Sequence, residues 1–162
     1  VSDLRGFLVP AGGGRPTRVP VANMWFKAVG DDTDGAFAFL EYVMTYDIPP
    51  HTHLREHENL YVLEGSVTVR VGDDEFSAGV GDFVFAPRGV PHAITATSDS
   101  PPRFLTVSSP SGFEHFMEDM SETLAAGHDR SSPEVAAVRE KHGWIPGWSP
   151  SPATRTPSGS GT

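Results

Sequence analysis

Pro49-Pro50-His51-Thr52-His53-Leu54-Arg55-Glu56-His57-Glu58-Asn59-Leu60-Tyr61-Val62-Leu63-Glu64-Gly65 is the stretch on which the reading of this chain turns. It holds His-x-His, four spacers, Glu58, six spacers and Gly65. A second stretch answers it: Gly81, five spacers, Pro87-Arg88-Gly89, two spacers and His92. Together they offer three imidazoles and one carboxylate: His51, His53, His92 and Glu58. Such a nitrogen–oxygen set suits one divalent transition metal and leaves coordination positions open. His51 and His53 are two residues apart, so on an extended chain both rings reach the same face. Glu58 follows at an odd offset, so Leu54-Arg55-Glu56-His57 must form a loop or bulge that resets the register. His57 is then expected to face away from the ion, as a rim or supporting group.

Working outward, the flanking text is strand-like. Val67, Val69 and Val71 alternate with Ser66, Thr68 and Arg70, the pattern of a half-buried strand over Ser66–Val71. His57–Leu63 precedes it across Glu64-Gly65, and Gly72-Asp73-Asp74 reads as a hairpin turn. Short strands are expected at Glu75–Ala78, Asp82–Ala86, His92–Thr97 and Arg103–Ser108, separated by Gly and Pro turns. Upstream, Val19–Val29 and Ala36–Tyr46 are apolar and aromatic, with Asp31-Asp32-Thr33-Asp34-Gly35 turning between them. Pro49-Pro50 is expected to stop the second run. Many short strands at this spacing give an all-β sandwich or barrel.

The two ends differ from this centre. Residues 1–18 form an N-terminal arm with Gly12-Gly13-Gly14 and room for a short edge strand at Phe7–Val9. After Pro110 the period changes, and Phe113, Phe116, Met117, Met120 and Leu124 predict an amphipathic helix over Gly112–Ala126. Ser132-Pro133-Glu134 is a helix start and Gly143 a stop, giving a second helix to His142. Helices thus occupy about 111–142 of a domain spanning 19–148, and Trp144–Trp148 is expected to fold back on the barrel. His115, His128 and His142 read as surface or packing residues. Residues 149–162 are Ser, Pro, Thr and Gly with one alanine and one charge, a composition that predicts a disordered tail.

Composition narrows the function. The 162 residues carry 21 acidic and 12 basic side chains, a net charge of −9 with no basic run, which opposes a nucleic-acid partner. No apolar stretch approaches membrane-spanning length and no leader pattern opens the chain, so it reads as soluble and cytoplasmic. The absence of cysteine removes disulfides, thiolate metal sites and cysteine nucleophiles.

The two spaced stretches resemble the paired motifs of the cupin superfamily, small double-stranded β-helix barrels of jelly-roll type. His51, His53, Glu58, Gly65, Gly81, Pro87, Gly89 and His92 all fit. The Asn that closes the second motif is Ala96 here, and the glycine expected ahead of His51 is replaced by Asp47-Ile48-Pro49-Pro50. Phe26-Lys27-Ala28, Thr33-Asp34-Gly35-Ala36-Phe37, Tyr61-Val62-Leu63-Glu64-Gly65, the run Gly81–His92 and Ser109-Pro110-Ser111-Gly112-Phe113-Glu114 are similar to single-domain bacterial quercetin 2,3-dioxygenase-like cupins. That resemblance spans roughly residues 20–145 and implies a single cupin domain with short C-terminal helices. It also implies one divalent metal per subunit (Fe, Mn, Ni, Co, Cu or Zn) on His51, His53, Glu58 and His92, and a homodimer. The apolar Val19–Val29 run offers a sheet edge for the second copy.

Three functions remain open at this point. A dioxygenase of secondary metabolism would use Glu58 both as ligand and as catalytic base toward a flavonoid- or polyketide-like substrate. A non-redox ion would serve a Lewis-acid isomerase, cyclase or decarboxylase. A binding or sensing cupin would hold a small molecule without turnover.

Overall fold

The computed structural model describes residues 4–19 and 23–148. In chain order the elements are β1 (Arg15–Pro16), β2 (Asn23–Ala28), the short helix α1 (Gly30–Thr33), β3 (Ala38–Val43), β4 (Ile48–His53), β5 (His57–Glu64) and β6 (Ser66–Val71). They continue with β7 (Asp74–Gly79), β8 (Phe83–Ala86), β9 (His92–Ala96), β10 (Arg103–Ser109), α2 (Phe113–Ala125), α3 (Pro133–His142) and β11 (Trp144–Pro146).

The strands form two antiparallel sheets, ordered β1-β2-β3-β10-β5-β8 and β11-β4-β9-β6-β7. From β3 to β10 the chain changes sheet at every connection except the β6–β7 hairpin. Alternation decides what lies between the sheets. Leu40 and Tyr42 from β3, Leu60 and Val62 from β5 and Phe104 from β10 meet Val67, Val69 and Ile94 from the other sheet. Each such side chain withdrawn from water contributes roughly 1.5–3 kcal/mol, so the barrel core carries much of the stability. Gly65 turns the chain from β5 to β6 at φ +73°, and a Cβ there would lie 2.5 Å from Ser98 Oγ. That crossing therefore admits glycine alone without rearrangement.

The helices cover one end of this barrel. Phe116, Met117 and Met120 of α2 are buried against the core, as the helical spacing predicts. Glu114 ties the start of α2 to α1: its carboxylate accepts the N–H of Gly30 at 2.7 Å and of Gly112 at 2.9 Å. Ser132 Oγ caps α3 by accepting the Val135 N–H at 3.2 Å, with Pro133 at the first helical position and Gly143 in the left-handed region.

The structure departs from the sequence expectations in four places. Phe7–Val9 forms no strand; Leu8 is exposed, and the first strand is Arg15–Pro16, paired with Trp25 and Phe26. Pro49-Pro50 does not end a strand but lies inside β4. The register with β9 shifts between Ile48 and His51, so the prolines fall in a bulge where their missing N–H groups leave no gap in the ladder. The Asp31–Gly35 turn contains the short helix α1, closed by Asp34 in the left-handed conformation. Within Val19–Val29, β2 lies between β1 and β3 and is covered over Trp25–Phe26, so that sheet ends at the two-residue β1 on one side and at β8 on the other. Among the described residues no helix is long and apolar enough to cross a membrane. The 149–162 tail lies outside the described residues.

Candidate metal centre

The register reset required before Glu58 is a change of sheet. β4 ends at His53, the chain crosses over residues 54–56, and β5 begins at His57 in the other sheet. Glu58 then shares the inward face with Leu60 and Val62, while His57 points out. His57 Nδ1 accepts the Arg88 N–H at 3.1 Å, and His53 O accepts the Gly89 N–H at 2.7 Å. The Pro87-Arg88-Gly89 turn is thereby clasped from both sheets. It delivers His92 onto β9, directly opposite His51 of β4.

His51, His53, Glu58 and His92 bring one ligand atom each to within 4.8 Å of one another. The three Nε2 atoms converge on Glu58 Oε2, at 3.8 Å from His51, 3.4 Å from His53 and 2.9 Å from His92. The opposite ring nitrogens each face an oxygen. His51 Nδ1 lies 2.8 Å from Pro49 O and His92 Nδ1 3.1 Å from Val90 O. His53 Nδ1 lies 3.7 Å from Glu56 Oε2, an ion-pair separation rather than a hydrogen bond. Outer partners of this kind fix which nitrogen carries the proton and turn the other toward a metal. The donor set, its convergence and its outer partners fit a divalent ion.

Electrostatics in the metal-free state agree. Burial would raise Glu58, but the three imidazoles overcome it and hold the carboxyl well below its ordinary value. Burial depresses His51. Burial would also depress His53, yet Glu56 and Glu58 outweigh it and raise the imidazole to about 9. The two carboxylates thus favour the protonated form of His53, and a metal bound through its Nε2 would compete with that proton.

Residues 42–108 match a family model described as the cupin domain, a span that includes all four clustered side chains. Among solved structures, KdgF from Halomonas sp. is similar with a TM-score of 0.51 at 18% identity, over 59% of this chain and 86% of that one. This is a cupin fold. TT1209 from Thermus thermophilus matches at 33% identity and a TM-score of 0.44, over 47% of this chain and 74% of that one. A predicted oxalate decarboxylase from Thermotoga maritima matches at 23% identity and a TM-score of 0.49, over 55% and 80%. Comparison with curated proteins gives no match.

In this cupin barrel three of the four side chains, His51, His53 and Glu58, line a cavity of about 260 Å³. Leu40, Ile48, Phe113, Phe116, Met117 and Trp144 make its walls largely apolar. Burial, reinforced by Tyr46, pushes the Tyr42 phenol in the wall well above its ordinary value, so it keeps its proton. A larger depression of about 460 Å³ lies between β1, β2 and α2, but none of the clustered ligands lines it.

Several site residues escaped the sequence reading. Glu56 was a spacer in the first motif; it is buried, and a Cβ on Gly112 would come within 2.8 Å of its Oε1. Phe113 and Trp144 approach the ligands from beyond the barrel, with ring centroids 5.5 Å from His53 and 5.2 Å from His51. Trp144 belongs to β11, which pairs with β4 and places Trp144 opposite His53. His115, His128 and His142 pair with Glu118, Glu134 and Asp119, away from the cluster.

Glu56 makes a pH test available. Metal affinity of the wild type should rise with pH toward about 9, because the ion competes with the proton on His53. In metal-free protein the same raised value stabilises the fold fully below the ordinary imidazole range and is lost as pH climbs through about 9. Glu56→Gln should bring the plateau to lower pH and weaken binding roughly 10–100-fold at that plateau. Chelator competition across pH measures both, and an unchanged profile would remove Glu56 from the site.

Proposed function

We propose that this chain is a metal-dependent cupin enzyme acting on a small, flat, apolar molecule, and that its reaction is a dioxygenation. The observation that carries the reading is the convergence of three Nε2 atoms on Glu58 Oε2, beside a largely apolar cavity that His51, His53 and Glu58 line. His51, His53, Glu58 and His92 would hold the ion. When bound, it supplies a Lewis-acid centre and, if redox-active, a route for electrons to dioxygen.

The remaining roles fall to the chain's own side chains. Glu58 accepts the proton of a substrate hydroxyl. A carboxylate is a weak base, which suits an enol or phenol rather than an aliphatic alcohol. Tyr42 keeps its proton and can donate a hydrogen bond to an oxygen in the cavity. Phe113, Phe116 and Trp144 give a flat ring an apolar surface and limit water. Oxygen uptake by metal-loaded protein against flavonols and aromatic polyketides tests the proposal. Product formation that proceeds equally without oxygen would replace it with Lewis-acid isomerisation, cyclisation or decarboxylation. Ligand binding without any product would leave a sensing cupin.

The same proposal includes a homodimer. Phe83 and Phe85 on β8 and Tyr61 beside them on β5 are exposed on one apolar outer face, next to a free strand edge. A second copy would cover both features. Light scattering should report twice the 17.4 kDa chain mass, and a monomer at micromolar concentration would refute it.

A further inference from the structure

Two cations face a cavity that is otherwise short of charge. Arg139, in the last turn of α3, and Arg130, just ahead of that helix, both line the chamber above the clustered ligands. Among the described residues Glu58 is the one acidic group lining it. The chain as a whole carries −9, so this local sign runs against the global one.

Arg139 is held in a defined place. Its guanidinium carbon lies 5.1 Å from the Trp144 ring centroid, and Trp144 stacks at 5.2 Å on His51. The cation therefore sits one indole away from a metal-binding imidazole. Its Nε is buried and meets no acceptor among the described residues, and Arg139 forms no ion pair with them. Stacking on Trp144 thus fixes the guanidinium while leaving it without a carboxylate partner among the described residues. Burial first, and Arg130 second, lower the Arg139 pKa, as expected for a cation without its counter-charge.

We infer that Arg139, assisted by Arg130, recognises a carboxylate on the substrate, which makes the substrate class an aromatic or cyclic acid. The inference rests on the reading of this cavity as the substrate site. The Nη1 and Nη2 end of a guanidinium presents two N–H groups, a match for the two oxygens of a planar carboxylate, while the buried Nε stays on the protein side. The ring of such an acid would lie against Phe113, Phe116 and Trp144, with its other end toward Glu58.

Calorimetric titration with 2-naphthoate and 2-naphthamide tests this, since the two share a ring system and differ in charge. Metal-loaded wild type is expected to bind 2-naphthoate at least about 10-fold more tightly. Arg139→Gln should weaken 2-naphthoate roughly 10–100-fold and leave 2-naphthamide within about threefold. Arg139→Lys should recover part of the loss. Arg130→Gln, at an exposed position that leaves the core intact, should weaken 2-naphthoate by a smaller factor.

Equal affinity of wild type for the two probes overturns the assignment, as does failure of both to bind. Equal weakening of both probes by Arg139→Gln also overturns it and leaves Arg139 as packing for Trp144. The same titrations on metal-stripped protein keep this inference apart from the metal reading. A carboxylate preference that survives stripping and disappears in Arg139→Gln supports it. A preference that disappears on stripping and survives in Arg139→Gln gives the carboxylate to the ion and overturns it. Elemental analysis reports separately whether the metal reading itself fails.

Discussion

His53→Ala is expected to take the protein from about one divalent ion per chain to nearly none after identical loading and dialysis. Among the four ligands, His53 is the one imidazole placed between two carboxylates, lying 3.4 Å from Glu58 and 3.7 Å from Glu56 through its two nitrogens. Loss of an outer partner alone costs roughly 10–100-fold in affinity, and loss of a ligand should exceed that. Elemental analysis of wild type and variant gives the answer, and equal metal in both would sink the four-residue site. Metal-free variant should also melt below metal-free wild type. Protonated His53 is the counter-charge for two carboxylates, and alanine leaves Glu56 and Glu58 without it. A circular dichroism spectrum with unchanged strand content would show that the barrel core still forms.

Glu58→Gln should separate the three functional readings. In a dioxygenase the variant keeps part of its metal, because the amide oxygen still coordinates, but it cannot take the substrate proton. Turnover should then fall about 10²–10⁴-fold, the usual contribution of general acid–base work. In a Lewis-acid enzyme the main defect is metal affinity, and excess metal restores the rate. In a binding protein there is no turnover to lose, and ligand affinity follows metal occupancy alone. Assays with and without oxygen, and with and without excess metal, cover all the cases.

The barrel was legible in the chain because its rules are local. Alternation places Val67, Val69 and Val71 on one face whatever the rest of the protein does, and glycine and proline mark the crossings. The four clustered ligands were legible because the distance between strands turns fixed spacing into proximity. What stayed hidden depends on partners distant in sequence. Pro49-Pro50 reads as a break until the bulge against β9 is known. Glu56 reads as a spacer, since its role depends on Gly112 leaving room for its carboxylate more than fifty residues later. Trp144 and Arg139 become part of the site only through the pairing of β11 with β4, and three residues of strand carry no periodic signal of their own.

That pairing also divides the labour of the chain. The four clustered side chains all fall within residues 42–108, while the cavity wall draws on both parts: Tyr42 and Ile48 come from that span, and Phe113, Phe116, Arg139 and Trp144 from the helices and β11 beyond it. Besides the core packing of α2, part of the seam between the two parts is backbone: Trp144, Ile145 and Pro146 lie opposite His53, Thr52 and His51. Backbone pairing tolerates exchange of side chains better than core packing does. On the proposed function, metal binding would be encoded in one segment and part of the molecular selectivity in another, so that the second could vary by mutation while the first stays constant.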